Sequence, residues 1–230
     1  MGHRANFILV KDQETHCFTD RWSGIHIPNL TFWGPALTLQ NLKLTDAVPV
    51  EFLRDSLWCE GAFLLHWDLK TLVFCFDYWS TDAEPVYGLQ GQQYHWDIFT
   101  EFPVMLSCYM ELLQAAWEGW TVKFASSVQF ACPESLQLDP ERIESRDLPD
   151  VSGHWLNCPL DQHGIYLKFA ELLLKDHRFD VVTALEPLLE HPAGWQMASD
   201  LLKPSGASVS ALERARVMRE VLQKVGVLAE

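Results

Sequence analysis

Short apolar runs broken by polar clusters fill the first part of the chain. Phe7-Ile8-Leu9-Val10 stops at Lys11-Asp12-Gln13-Glu14, and a second short strand is expected from His16 to Trp22, making a hairpin across that polar turn. Ala62 to Asp68 and Thr71 to Phe76 read as another hairpin, turning near Leu69-Lys70. The second of these runs is apolar at every other position and between them, which suits a central strand covered on both faces. Ser23-Gly24, Pro28-Asn29 and Trp33-Gly34-Pro35 punctuate the segment after the first hairpin. Val50, Phe52, Leu53 and Leu57 have helical spacing and predict a helix over 50–57. Residues 80–93 turn polar and Gly/Pro-rich, which predicts a loop with room for one short strand.

The helical pattern is clearer further on. From Phe102 to Trp117, Met105, Leu106, Tyr109, Leu112, Leu113, Ala116 and Trp117 recur every three or four residues, with Pro103 in the first turn and Gly119 as the stop. Thr121 to Ala125 returns as a strand, and Asp139-Pro140-Glu141-Arg142 reads as a cap followed by a short helix. Helical periodicity resumes over 165–175, 179–190 and 195–202. The last helix opens on the capping box Ser210-Ala211-Leu212-Glu213, with Leu212, Ala215, Met218, Leu222 and Val225 as its apolar stripe. Its bases, Arg214, Arg216, Arg219 and Lys224, fall off that stripe and read as a solvated face.

These elements predict an α+β fold. Residues 1–158 form a mixed, mainly antiparallel sheet with helices, and 159–230 form a helical part packed on or beside it. The acidic, loop-like stretch 144–159 is the expected boundary.

Charge changes the picture more than composition does. Thirty-one acids against 17 bases give a formal net charge of −14. Most of it lies in residues 1–158, with 21 acids and 9 bases, while 159–230 carry 10 and 8. Such a field repels phosphates and anionic lipid, so neither nucleic acid nor a membrane is an expected partner. No apolar run approaches the roughly 20 residues of a bilayer span. The opening lacks the long apolar stretch of a secretory signal, and Asn6 stands where an acylation motif needs Ser or Thr. A cytoplasmic protein is therefore expected. The cysteines, Cys17, Cys59, Cys75, Cys108, Cys132 and Cys158, form no Cys-x-x-Cys pair and sit mostly among apolar neighbours, so reduced packing residues are expected.

Between Lys70 and Lys123 there is no base, yet Asp77, Asp82, Glu84, Asp97, Glu101, Glu111 and Glu118 lie there, interleaved with Tyr78, Trp79, Tyr87, Tyr94 and Trp96. The plainer reading is a solvated acidic face with bases supplied from elsewhere in the fold. The functional reading is a recognition surface for a basic protein, in which aromatic anchors supply contact energy and acids supply steering. On that reading Asp77, Trp79, Asp82, Glu84, Trp96 and Asp97 are the contact residues.

Catalytic motifs are scarce. No phosphate-cradling glycine loop, nucleophile elbow or His-Glu-x-x-His is present. Cys108 has no activating base in local sequence. His-Trp-Asp occurs twice, at His66-Trp67-Asp68 and His95-Trp96-Asp97. On a strand each His would share a face with its Asp, and two such pairs brought together could hold a divalent metal or orient a general base. The arrangement is similar to the paired His-x-Ser/Thr of the two-histidine phosphoesterases, but Asp replaces the hydroxyl residue and no base stands nearby for a phosphate. A metal-dependent hydrolase using His66, Asp68, His95 and Asp97 is thus the alternative. The balance favours a binding protein over an enzyme, with no cofactor or resident metal expected.

Gly2 to Asn6, Arg21 to Gly24, Phe32 to Pro35 and Trp117 to Val122 together resemble a group of uncharacterised bacterial proteins opening Met-Gly-His-Arg-Ala-Asn, over about the first 145 residues. That resemblance implies no activity. In general profile, acidic, Trp-rich and motif-poor, the chain is similar to bacterial immunity proteins, which implies a cognate toxin as the basic partner.

Overall fold

The computed structural model describes residues 3–43, 45–76, 102–146, 162–174 and 209–229. Strands β1 (Ala5–Lys11) and β2 (Glu14–Asp20) form the first hairpin, and β3 (Gly61–His66) and β4 (Thr71–Phe76) form the second. Strand β5 (Thr121–Phe124) completes a five-stranded sheet in the order β2-β1-β3-β4-β5. Helices α1 (Ile27–Thr31) and α2 (Pro35–Leu42) lie between β2 and β3, and α3 (Phe102–Ala116) lies between β4 and β5. Helices α4 (Gln162–Leu174) and α5 (Val209–Lys224) follow. The class is α+β.

The sheet is mixed. β1–β2 and β3–β4 pair antiparallel, whereas β1–β3 and β4–β5 pair parallel. Together the antiparallel pairs run longer than the parallel ones, in keeping with the expected mixed, mainly antiparallel sheet. The parallel pairs follow from the chain between them: a parallel neighbour needs a long crossover, and α1–α2 and α3 occupy those two crossovers.

Alternation along the strands builds two different layers. Phe7, Leu9, Phe63, Leu65, Leu72, Phe74, Phe76 and Phe124 face the helices, where Phe32, Leu39, Tyr109, Leu112, Trp117, Phe169, Met218 and Leu222 close the larger core. Ile8, Val10, Ala62, Leu64, Val73 and Cys75 face the other way, onto Cys59, Val128, Phe130, Ala131, Cys132 and Ile143. Every residue of β4 is buried, as its unbroken apolar run requires. Described parts of α4 and α5 share one core with the sheet.

Tyr109 of α3 and Trp117, the residue just after it, fasten this helix to α1. The Tyr109 hydroxyl donates to the Pro28 carbonyl at 3.0 Å, and Trp117 Nε1 donates to the Thr31 carbonyl at 2.7 Å. The Pro28 carbonyl already accepts the Phe32 N–H, so Tyr109 adds a second bond there, whereas the Thr31 carbonyl ends the five-residue helix and has no partner within it. Burial pushes the Tyr109 hydroxyl well above the ordinary phenol range, so it stays a donor. Just past the end of α3, Lys224 of α5 bonds Glu118 at 2.6 Å; elsewhere Arg214 of α5 lies 5.6 Å from the centre of the Trp33 ring. Two of the bases of α5 thus make tertiary contacts rather than forming a purely solvated face.

The second layer is made of loops, and a strand side chain holds it. Asn6 is wholly buried in β1. Its Oδ1 accepts from the Arg54 N–H at 2.9 Å, while Nδ2 donates to the carbonyls of Arg54 (2.8 Å) and Ala131 (2.9 Å). The Arg54 N–H is a donor only and the Ala131 carbonyl an acceptor only, so these partners fix the amide's orientation. Here the expected helix over 50–57 is corrected. The segment contains a single 3-10 turn, Val50–Phe52, because Asn6 takes both backbone groups of Arg54 that a helix would have used internally. Leu53 goes inward, whereas Val50, Phe52 and Leu57 stay exposed.

The remaining expectations divide cleanly. The cap at Asp139 is present, its carboxylate accepting from the Glu141 N–H ahead of a 3-10 turn, Pro140–Arg142. The loop over 80–93, the helices over 179–190 and 195–202, most of the 144–159 boundary, Cys158 and the side chains of Ser210 to Leu212 lie outside the described residues.

Replacing Asn6 by Ala leaves the buried Ala131 carbonyl and the two half-buried backbone groups of Arg54 without their partner. The expected loss is about 2–4 kcal/mol, at roughly 1–3 kcal/mol per buried unsatisfied group with partial relaxation. Urea unfolding of the full chain measures it, and a loss under about 0.5 kcal/mol would contradict the role assigned to this amide.

Candidate functional site

Chemistry-bearing residues gather at the two ends of the sheet. At one end the β1–β2 turn and the β3–β4 turn lie side by side, since Val10 and His66 are register partners. Asp12 and Gln13 both have positive φ, 55° and 64°, the signature of a type I′ turn that follows strand twist. Neither is a glycine, so this backbone needs support. Asp68 supplies it: Oδ1 accepts from the Asp12 N–H and Oδ2 from the Gln13 N–H, each at 2.9 Å. Those two bonds, Gln13 first, hold the Asp68 carboxyl below its ordinary range, with His66 and Lys11 adding smaller attraction.

His66 closes the neighbouring turn, its Nδ1 accepting from the Leu69 N–H at 3.3 Å. β3 ends at His66, so Asp68 sits in the turn and does not share a strand face with the histidine. The alternation expected for His-x-Asp fails there because the chain has already left the sheet. His95 and Asp97, the other pair, lie outside the described residues, as do Asp77, Trp79, Asp82, Glu84 and Trp96. Among the described residues no group of three His, Cys, Asp or Glu side chains could hold a metal ion.

The opposite end is built from the start of β1, the exit of β2 and the entry to β3. Glu60 N–H bonds the Arg4 carbonyl at 2.9 Å, and Gly24 N–H bonds the His3 carbonyl at 2.7 Å. The chains approach closely here: a side chain on Gly61 would stand 2.5 Å from the Gly24 carbonyl oxygen. Large apolar side chains on the segments leading to this end are exposed. Leu57 is 81% exposed, Phe52 63%, Trp22 55% and Trp58 52%. The Arg4 guanidinium lies 4.6 Å from the centre of the Trp58 ring, and that of Arg21 lies 5.5 Å from Trp22.

Acids rim the same loop. Asp46, Glu51, Asp55 and Glu134 are exposed. Asp55 folds its own segment by accepting from the Leu57 N–H at 3.2 Å, and Glu134 reaches across to the Ser56 N–H at 2.8 Å. The Ser56 hydroxyl and amide hold the Glu134 carboxyl below its ordinary range. Periodicity over 50–57 hid this surface, because it put Phe52 and Leu57 in a core. The signal that could have found it is Pro49 ahead of the run and Asp55-Ser56 inside it, a turn-forming pair just before two large apolar residues.

Beneath that loop, the Cys59 thiol donates to the Gly61 carbonyl at 3.3 Å and the Cys132 thiol to the Val128 carbonyl at 3.4 Å, and the two sulfurs are neighbours. This contact draws Cys59 below the ordinary thiol range. It pushes Cys132 above it, helped by burial and by the Glu134 and Asp55 charges. Cys17, Cys75 and Cys108 are also buried, the last within the helix-facing core. No protein-family model matches this chain, and neither a curated protein nor a solved structure matches it.

The Asp68 clamp makes a pH prediction. Its carboxyl is lowered in the folded state, so its stabilisation is complete above the ordinary carboxylate value near 3.8 and fades as pH falls through the lower folded value. Asp68→Ala is expected to melt at a lower temperature than the unsubstituted protein from pH 8 to 5, and the gap should narrow below about pH 4. Thermal melts across that range check it, and a gap as wide at pH 3 as at pH 7 would refute the clamp.

Proposed function

We propose that this chain is a protein-binding protein, whose acidic, aromatic surface occludes a more basic protein, most specifically as a bacterial immunity protein occludes its cognate toxin. The observation that carries this reading is the excess of acids without local partners. Asp46, Glu51, Asp55 and Glu134 make no ion pair among the described residues, and Asp77, Asp82, Glu84, Asp97 and Glu101 lie in a stretch of sequence with no Lys or Arg. The contact residues on this reading are Asp77, Trp79, Asp82, Glu84, Trp96 and Asp97. A field of one sign speeds encounter with an oppositely charged partner and rejects like-charged ones.

Support also comes from what the alternative residues are doing. A hydrolytic role needs His66 and Asp68 available to substrate or metal, whereas both Asp68 oxygens and the His66 Nδ1 accept backbone N–H groups in turns. The reading places the protein in the cytoplasm, where buried thiols such as Cys59 and Cys132 stay reduced. No helix among the described residues is long and apolar enough to cross a membrane.

The test begins with capture from the native lysate at low salt, followed by mass spectrometry and association kinetics with the recovered basic protein. Asp82→Lys with Glu84→Lys should slow association ~10-fold while changing dissociation little, and added salt should slow the unsubstituted protein likewise. An association rate indifferent to both would overturn the reading.

A further inference from the structure

We infer that the docking surface lies at the β1-start end of the sheet, on Trp22, Phe52, Leu57 and Trp58, and that it takes an amphipathic segment of a partner presenting aliphatic side chains and lysines or arginines. This rests on the protein-binding reading above and gives it a place and a ligand chemistry.

Three observations carry the inference. The first is exposure: four large apolar side chains, each more than half exposed, lie on segments that converge at this end of the sheet, and a gathering of this kind marks a binding surface where scattered single residues do not. Trp22 lies two residues beyond Asp20, the β2 partner of Ala5, Trp58 packs on Arg4, and Phe52 and Leu57 flank the Arg54 backbone that Asn6 grips beside Ala5.

The second is rigidity. The loop carrying Phe52, Leu57 and Trp58 is tied by Asn6 to Arg54, by Glu134 to Ser56 and by Asp55 to Leu57. A surface held this way loses little freedom on binding, so its apolar contacts convert to affinity with less ordering cost.

The third is charge. The rim formed by Asp46, Glu51, Asp55 and Glu134 is exposed and acidic, and Arg54, the one base in residues 45–60, is held at its backbone by Asn6. The chain's own Arg4 and Arg21 lie over Trp58 and Trp22, so the exposed carboxylates of the rim, rather than the rings, are the groups that favour a cationic partner. A second copy of the chain is the poorer occupant. A two-fold contact would set this acidic rim against itself, in a molecule of net charge −14.

The probe is a synthetic helical peptide of leucine and lysine, with an isosteric leucine–glutamate peptide as its counterpart. Both are titrated into the full chain carrying 15N-labelled tryptophan, with the Trp22 and Trp58 indole signals assigned through Trp→Phe variants. The leucine–lysine peptide should shift those two signals saturably, and its Kd should rise at least ~10-fold for Phe52→Ser with Leu57→Ser. A similar rise is expected for Asp46→Lys with Glu51→Lys, and the leucine–glutamate peptide should not bind. All four positions are exposed, and melting curves matching the unsubstituted protein confirm that the variants fold.

Equal binding of both peptides, shifts confined to other tryptophans, or no binding of the lysine peptide would each overturn the inference. So would a concentration-dependent dimer in sedimentation that Phe52→Ser with Leu57→Ser abolishes, since the occupant would then be a second copy. If Asp82→Lys with Glu84→Lys weakens the peptide and the Phe52–Leu57 variant does not, this surface fails while the protein-binding reading stands.

Discussion

Asn6 places a primary amide in the middle of a buried strand face and spends it on backbone groups of two segments remote in sequence, Arg54 and Ala131. Those segments have almost no ladder of their own. They are a run of loops with short 3-10 turns, and a layer of that kind leaves many N–H and C=O groups in need of partners. Satisfying three of them from inside the strand lets Leu53, Val128, Phe130 and Ala131 reach the core without a helix or a sixth strand to carry them. The amide's cost in burial is offset because its partners are good ones. A methyl group at the same place would fill part of the volume and satisfy none of the carbonyls.

The two faces of the sheet are consequently different in kind. On one face, helices carry their own hydrogen bonds and need only apolar contact with the strands, with Tyr109 and Trp117 each adding one bond to a short helix. On the other, irregular chain is pinned at points. The pinned side can leave large apolar residues in the open, since position there is set by hydrogen bonds to Asn6, Asp55 and Glu134 rather than by burial of the side chains themselves. At the opposite end of the sheet Asp68 does a comparable job for a strained turn. Both devices are polar side chains committed to backbone, which is why neither reads as chemistry once the geometry is known.

What the pattern of residues made legible follows the same division. β1 to β5 and the helix from Phe102 were readable because alternation and three-to-four spacing report contact with one continuous core, and these elements have such contact. Thr71 to Phe76 announced a strand covered on both faces. The 50–57 segment misled because Val50, Phe52 and Leu57 have helical spacing by chance of composition, while what decides their backbone is an asparagine more than forty residues away. Parallel pairing was equally out of reach, since periodicity within a strand says nothing about which neighbour it takes. His66-Trp67-Asp68 looked like a strand pair because the run of apolar residues before it hides where the strand stops.

Hydrogen–deuterium exchange on the full chain, comparing the unsubstituted protein with Asn6→Ala, tests the central claim that this one amide organises the loop face. Protection should fall together in 49–60 and 128–132, while the β3–β4 ladder and α3 keep theirs. Loss spread evenly over the sheet and helices, or unchanged protection in both loops, would contradict it.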